Sequence, residues 1–194
     1  VQPGQRVLNV GIGGGIFEAH AHARGASVHS LDPNWASLRS HAADAVSRLV
    51  VGRLQEMPFA NDTFDAVVVS EVLEHLSPDD MRLALAEIER VLHPGGRIIG
   101  TVPFEENLGD AMVICPNCSE IFHKVGHLQS FSIESMSREL MQYFEEVDCY
   151  QRAFMAKTRV GFKELAVDLV RNLLVRSGVL TRDKQVVFIG TKCS

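Results

Sequence analysis

Short apolar runs alternate with amphipathic segments along the chain. The run from Ala66 to Val69 is apolar without alternation, as a strand buried on both faces of a sheet requires. Strands that alternate with helices are typical of a mostly parallel sheet with helices on both faces. The pattern predicts strands before Pro103 over Arg6 to Val10, Ser27 to Leu31, Arg48 to Val51, Phe64 to Ser70 and Arg97 to Val102.

The clearest helix signal lies between the last two of these strands. Ser77 supplies a capping side chain, Pro78 suits the first helical position, and the acids that follow favour the positive end of the helix dipole. Apolar residues recur at helical spacing, and we expect the helix to end in a helix-to-strand turn at His93-Pro94-Gly95-Gly96. The same patterns predict helices over Ile133 to Phe144 and Phe162 to Val175, and strands over Glu146 to Gln151 and Val186 to Gly190.

A glycine-rich turn, Gly11 to Gly15, follows the first predicted strand. Glycines let a strand turn tightly into a helix and let a ligand approach the backbone and the first helical amides. Dinucleotide-binding loops have a glycine where this chain has Ile16, and the lysine of a phosphate-binding P-loop is missing. Asp32, which ends the second strand, could bind a ribose diol or cap a helix. The loop and the acid together predict a nucleotide-like ligand.

Further motifs follow in order along the first 103 residues. They are the segment Gln55 to Asp65, the segment Ser70 to Leu76 and the segment Arg90 to Gly96. Together with the glycine loop and Asp32 they resemble the class I S-adenosylmethionine-dependent methyltransferases, and most closely the branch that modifies small molecules and lipids. The resemblance implies an α/β fold: a Rossmann-like, doubly wound, mostly parallel seven-stranded sheet with an antiparallel last strand. It also implies in-line methyl transfer from S-adenosylmethionine to a small-molecule or lipid acceptor.

The resemblance also implies a site. The loop glycines would pass under the methionine and ribose portions of the cofactor, and Asp32 would hold the ribose hydroxyls. The end of the fourth strand would line the methyl-transfer side, where His75 is the candidate base or, alternatively, a solvent-exposed structural histidine. The cofactor-binding residues carried over are Asn9, Gly11, Gly13, Gly15, Asp32, Pro33, Leu54, Gln55, Ser70, Glu71 and Val72.

The chain departs from the family pattern at two places. Asn9 stands where the family usually has an acid that helps to hold the methionine amino group, and asparagine can donate and accept hydrogen bonds but carries no charge. Val1 lies just before the first strand, where family members usually carry a helical lid, so we expect a trimmed or minimal form. These departures leave open a noncatalytic alternative, in which the fold serves as a cofactor- or partner-binding module through a zinc-bound insertion after the fifth strand.

A second candidate site lies beyond the fifth strand. Cys115, Cys118, His123 and His127 give the spacing C-x2-C-x4-H-x3-H. Thiolates and imidazoles at this spacing suit tetrahedral zinc. The prediction is a structural zinc that holds an insertion, residues 104–130, over the carboxyl edge of the sheet. A catalytic zinc, or no metal at all, are the alternatives.

Composition limits the remaining classes. The 194 residues suit one domain, with a cofactor-binding half at 1–103 and a substrate-side half at 131–194 around the insertion. The net charge of −5, with acids and bases interspersed, argues against a nucleic-acid partner. No stretch approaches the roughly twenty apolar residues of a membrane span, and no signal segment is evident, so we expect a cytoplasmic protein. The leucines of 162–175 either pack on the protein or meet a lipid-linked acceptor.

Overall fold

The computed structural model describes residues 1–40, 47–153 and 184–193, so the helix predicted over 162–175 lies outside the described residues. The helices are α1 (Ile16–Ala23), α2 (Trp35–Ser40), α3 (Pro78–Val91) and α4 (Ile133–Leu140). The strands are β1 (Arg6–Val10), β2 (Ser27–Asp32), β3 (Ser47–Val51), β4 (Phe64–Ser70), β5 (Leu92–Pro103), β6 (Met112–Ile114), β7 (Ile121–His123), β8 (Asp148–Ala153) and β9 (Lys184–Thr191).

The main sheet has seven strands in the order β3-β2-β1-β4-β5-β9-β8. The first five of these pair in parallel, and β9 is antiparallel to both of its neighbours. The predicted mostly parallel sheet with an antiparallel last strand is confirmed. The strand order reverses between β1 and β4, and open sheets of this kind bind ligands at the carboxyl ends of the strands beside that reversal.

Apolar side chains on both faces hold the sheet in place. On β4, Val67 and Val69 are fully buried on one face and Ala66 and Val68 are buried on the other, as the unbroken apolar run predicts. The apolar stripe of α3, including Leu85 and Ile88, belongs to the same core cluster as Val67. The helix begins as expected, because the Ser77 side chain accepts a hydrogen bond from the Asp80 amide.

The segment after α3 differs from the prediction. The helix ends at Val91 and β5 begins at Leu92, so His93 to Gly96 lies within a strand and not in a turn. Leu92 pairs with Phe64, and the register then shifts before Arg97 pairs with Ala66. The proline and glycines therefore form an irregularity in a strand, which glycine at a positive φ permits.

The later elements are present with shifted ends. Helix α4 stops at Leu140, four residues before the predicted end, and a turn brings the buried Phe144 under the sheet. Strand β8 starts at Asp148, two residues later than expected, and β9 is longer than predicted at both ends. The ends shift because contacts with distant parts of the chain, and not local propensity alone, decide where an element stops.

We expect Gly100→Ala to destabilise the fold. A Cβ at this position would lie 2.0 Å from the Val69 carbonyl oxygen and 2.3 Å from Cζ of Phe188, so neighbouring strands would have to move. Overpacking of this kind costs about 2 kcal/mol or more in the free energy of unfolding, which urea denaturation measures. Gly109→Ala is the matched control, because its nearest contact is at 3.3 Å, and we expect a change within about 0.5 kcal/mol. Equal stability of the two variants would contradict the packing described here.

Candidate active site

The glycine loop joins β1 to α1 in a left-handed conformation. Gly11, Gly13 and Gly15 have φ values of 79°, 50° and 70°, which side chains rarely adopt. The Gly11 amide donates to the Leu31 carbonyl at 2.8 Å, which ties the loop to β2. A Cβ at Gly13 would meet nothing within 4 Å, so the loop leaves open space above this residue.

The end of β4 lies directly against this loop. A Cβ at Gly11 would lie 3.1 Å from Cγ2 of Val72, so only glycine allows this close approach without displacement. Ser70 and Glu71 are exposed next to it. Glu71 has φ 56°, its amide donates to the Thr101 carbonyl at 2.9 Å, and its Oε1 accepts from the Thr101 hydroxyl at 2.8 Å. The strand end is thus held by β5, its neighbour in the sheet.

Asp32 faces the loop from the end of β2. Its Oδ2 accepts from the Ile12 amide at 3.2 Å, and its Oδ1 accepts from the Asn34 amide at 2.8 Å. Two backbone amides therefore fix the carboxylate beside the glycine loop. Each carboxylate oxygen can accept a further hydrogen bond, so both remain available to a diol. Pro33, which follows, is exposed.

The loop after β3 borders Asp32 on the other side. The Gly52 amide donates to the Asp32 carbonyl at 3.3 Å. The Leu54 side chain is 5% exposed and belongs to the main core cluster, whereas Gln55 is half-buried. Of the two residues predicted to flank an adenine, Leu54 thus has its side chain directed mainly into the core.

A buried acid lies beside Asn9, and the sequence analysis missed it. Asn9 Nδ2 donates to Oε1 of Glu18 at 2.7 Å, and the Ser30 hydroxyl donates to the same oxygen, also at 2.7 Å. Glu18 is 4% exposed, and its Oε2 has no hydrogen-bond partner. The one indication of this acid in the sequence was its helical spacing: Glu18 lies three residues before Ala21, on the buried face of α1.

A cleft of about 640 Å³ opens beside the end of β4. The side chains that give it its chemistry are mostly acidic, with one lysine and one aromatic ring. They are Glu71, Phe104, Glu105, Glu106, Asp110 and Lys184. An acidic cleft of this kind favours neutral or cationic ligands over anionic ones.

Three histidines and two glutamates cluster at the border of this cleft. The ring centroid of His127 lies 4.8 Å from that of His75 and 4.9 Å from that of His123. His127 Nδ1 lies 2.5 Å from Glu106 Oε2, and His127 Nε2 lies 3.9 Å from Glu74 Oε1. Glu74 is fully buried. Burial, with smaller contributions from the negative charges of Glu71 and Glu106, raises the pKa of Glu74 to about 8.

The four predicted zinc ligands are divided in the structure. Cys115 and Cys118 lie in the turn that joins β6 to β7, whereas His123 ends β7 and His127 follows it. Among the described residues, each group of three or more donors within 4.8 Å of one another contains histidines and glutamates, and neither cysteine. The Cys2His2 zinc site remains a prediction.

Residues 8–100 match the family model described as a methyltransferase domain. The demethylmenaquinone methyltransferase of Mycolicibacterium paratuberculosis is 35% identical over 99 residues, which are 51% of this chain and 42% of that protein. A SAM-dependent methyltransferase from Methanosarcina mazei has a TM-score of 0.71 at 19% identity, over 100% of this chain and 94% of that one. A Burkholderia thailandensis 1,6-didemethyltoxoflavin-N1-methyltransferase, solved with 1,6-didemethyltoxoflavin and S-adenosylhomocysteine, has a TM-score of 0.65 at 20% identity, over 99% and 72%.

The family match and the fold agree. The chain has the class I S-adenosylmethionine-dependent methyltransferase fold, and its residues 8–100 match the methyltransferase-domain model. It spans less than half the length of the curated relatives it matches. Among the helices that the structure describes, none combines the length and the apolar character needed to cross a bilayer.

The two half-buried cysteines differ in reactivity. Hydrogen bonds from the Cys118 and Asn117 amides lower the pKa of Cys115, whereas burial raises the pKa of Cys149 to about 11. The thiolate is the reactive form, so we expect iodoacetamide at neutral pH to alkylate Cys115 well before Cys149. Peptide mass spectrometry over time measures the order. Faster alkylation of Cys149 would contradict the hydrogen bonding described for the β6–β7 turn.

Proposed function

We propose that this protein transfers a methyl group from S-adenosylmethionine to a small-molecule acceptor. The observation that carries the proposal is the junction of the glycine loop, Asp32 and the end of β4 at the carboxyl edge of the sheet. The cleft beside this junction supplies a place for the acceptor. The names of two similar proteins, which act on demethylmenaquinone and on 1,6-didemethyltoxoflavin, support an acceptor of small-molecule class.

The residues at the junction fit the cofactor. The open space above Gly13 admits a ligand against the backbone, and Asp32 is held with acceptor capacity for a ribose diol. The buried Oε2 of Glu18 has no hydrogen-bond partner, and a carboxylate oxygen can accept a hydrogen bond from an ammonium group. In this proposal the cofactor is held by Gly11, Gly13, Gly15, Asp32, Pro33, Leu54, Gln55, Ser70, Glu71 and Val72, together with Asn9 and Glu18.

Glu18 supplies the charge that Asn9 lacks. The family usually has an acid at the position of Asn9, where it helps to hold the methionine amino group. Here the amide of Asn9 donates to Glu18 at 2.7 Å, so the carboxylate lies next to the place where the family acid would be. An acidic side chain beside the glycine loop is therefore retained, but it comes from α1 and not from β1.

On the acceptor side, the main task of the protein is to align the acceptor atom with the methyl group of the cofactor. S-adenosylmethionine supplies a methyl group on a sulfonium, an excellent leaving group, so positioning alone can lower the barrier by several kcal/mol. Glu71 and Val72 at the end of β4 separate the glycine loop from the cleft. His75 Nδ1 lies 3.2 Å from the Gly126 carbonyl oxygen. A neutral ring that donates there leaves Nε2 basic, and such a nitrogen can accept a proton or bind a cation.

We expect Gly13→Val to abolish binding of S-adenosylhomocysteine, because the added side chain enters the space proposed for the ligand. Gly4→Val is the matched control. Gly4 also has a positive φ, 82°, and a Cβ added there would meet nothing within 4 Å, so the backbone strain is similar but lies away from the loop. Isothermal titration calorimetry measures both affinities. Normal binding by the Gly13 variant would overturn the assigned site, and absence of binding by the wild-type protein would favour the noncatalytic alternative.

We expect Glu18→Gln to weaken S-adenosylhomocysteine binding by at least about tenfold, the size expected for a lost hydrogen bond to a charged group. The change preserves shape and removes only the charge. Adding Asn9→Asp to this variant restores an acid at the usual family position, and we expect the double variant to regain most of the affinity. Unchanged affinity of the single variant, or no recovery in the double variant, would contradict the role given to Glu18.

A further inference from the structure

Glu74 is an unusual carboxylate in this fold. It is fully buried, and neither of its oxygens has a hydrogen-bond partner. A buried carboxylate without compensation is costly, so it takes up a proton, pairs with a positive charge or binds a metal. The ion pairs that Glu74 and Glu106 form among the described residues are all with histidines. The cluster therefore carries acids in excess of fixed positive charge.

Two histidines present nitrogen atoms to Glu74 in the arrangement of metal ligands. A ligating histidine generally donates its other ring N–H to a carboxylate or a backbone carbonyl. His75 Nδ1 has the Gly126 carbonyl oxygen at 3.2 Å, and His127 Nδ1 has the Glu106 carboxylate at 2.5 Å. Both rings then have Nε2 without a proton, and His127 Nε2 lies 3.9 Å from Glu74 Oε1.

His123 has the opposite arrangement. Its Nδ1 accepts a hydrogen bond from the His127 amide at 3.0 Å, so the neutral ring carries its proton on Nε2. That nitrogen is buried, has no hydrogen-bond partner and lies 3.6 Å from Glu106 Oε1, close enough for an electrostatic contact with the carboxylate. His123 therefore supports Glu106 and His127 and is not itself arranged as a ligand.

We propose that Glu74, His75 and His127 bind a divalent transition-metal cation, with Glu106 and His123 as positioning residues. Their donor atoms lie within 4.8 Å of one another. Atoms bound to one such cation at about 2.0–2.2 Å lie about 3 to 3.5 Å apart, so small side-chain rotations bring the three together. Two imidazoles and one carboxylate suit zinc or iron and leave further coordination positions open.

The site borders the acceptor cleft, because Glu106 contacts His127 and also lines the cleft. A cation there would lower the pKa of an acceptor hydroxyl bound to it, as metals do for bound water. This role rests on the proposed methyl transfer, whereas the binding of the cation does not. In this inference His75 is a metal ligand and not the catalytic base that its place in the sequence suggested.

The test uses the full chain, stripped with a chelator, and Co²⁺ alone as the probe. Calorimetry and visible absorption should show one Co²⁺ bound, with affinity lowered at least about tenfold in Glu74→Gln and in His75→Ala. His75 is exposed and Glu74→Gln preserves shape, so both variants should fold, which thermal unfolding of the apo proteins checks. The double variant Cys115→Ser with Cys118→Ser should bind Co²⁺ as the wild type does.

Three results would overturn the inference: no Co²⁺ binding by the wild type, unchanged binding by both site variants, or loss of binding in the cysteine variant. The last, with a thiolate-to-cobalt absorption band in the wild type, would instead establish the Cys2His2 site that the sequence spacing predicts. S-adenosylhomocysteine is absent from these titrations. Failure of metal binding is therefore distinguishable from failure of the proposed cofactor site, which is measured separately.

Discussion

The structure depends on the close approach of the glycine loop to the end of β4. Strands β1 and β4 pair in parallel, so their carboxyl ends meet at one edge, and Gly11 leaves room for Val72 against the backbone. A side chain at Gly11 would push the strand end away from the loop. Because Asp32 is fixed to the same loop through the Ile12 amide, all the proposed cofactor contacts rely on this one junction.

Buried carboxylates give the edge its chemistry. Glu18 behind the glycine loop and Glu74 beside the cleft each have at least one buried oxygen without a hydrogen-bond partner. A buried carboxylate either takes up a proton or is paired with a positive charge, and a cationic ligand can supply that pairing. The two proposals follow from the same physical constraint: an ammonium group near Glu18 and a metal cation near Glu74.

The sequence predicted the sheet well because its signals are local. The apolar run of β4 and the cap at Ser77 need no distant partner, and both are present as expected. The His93 to Gly96 segment was wrongly expected to be a turn, since its strand pairing with Phe64 depends on the rest of the sheet. Long-range contacts also explain what was missed: Glu18 meets Asn9, and Glu74 meets His127, only after folding.

The most direct test of the central claim is a crystal structure of the wild-type protein grown with S-adenosylhomocysteine. The account predicts that the ribose hydroxyls lie within hydrogen-bond distance of the Asp32 carboxylate and that the amino group lies beside Glu18, with the ligand backbone over Gly13. A ligand bound at another edge of the sheet, or one whose ribose and amino groups contact neither acid, would contradict the account.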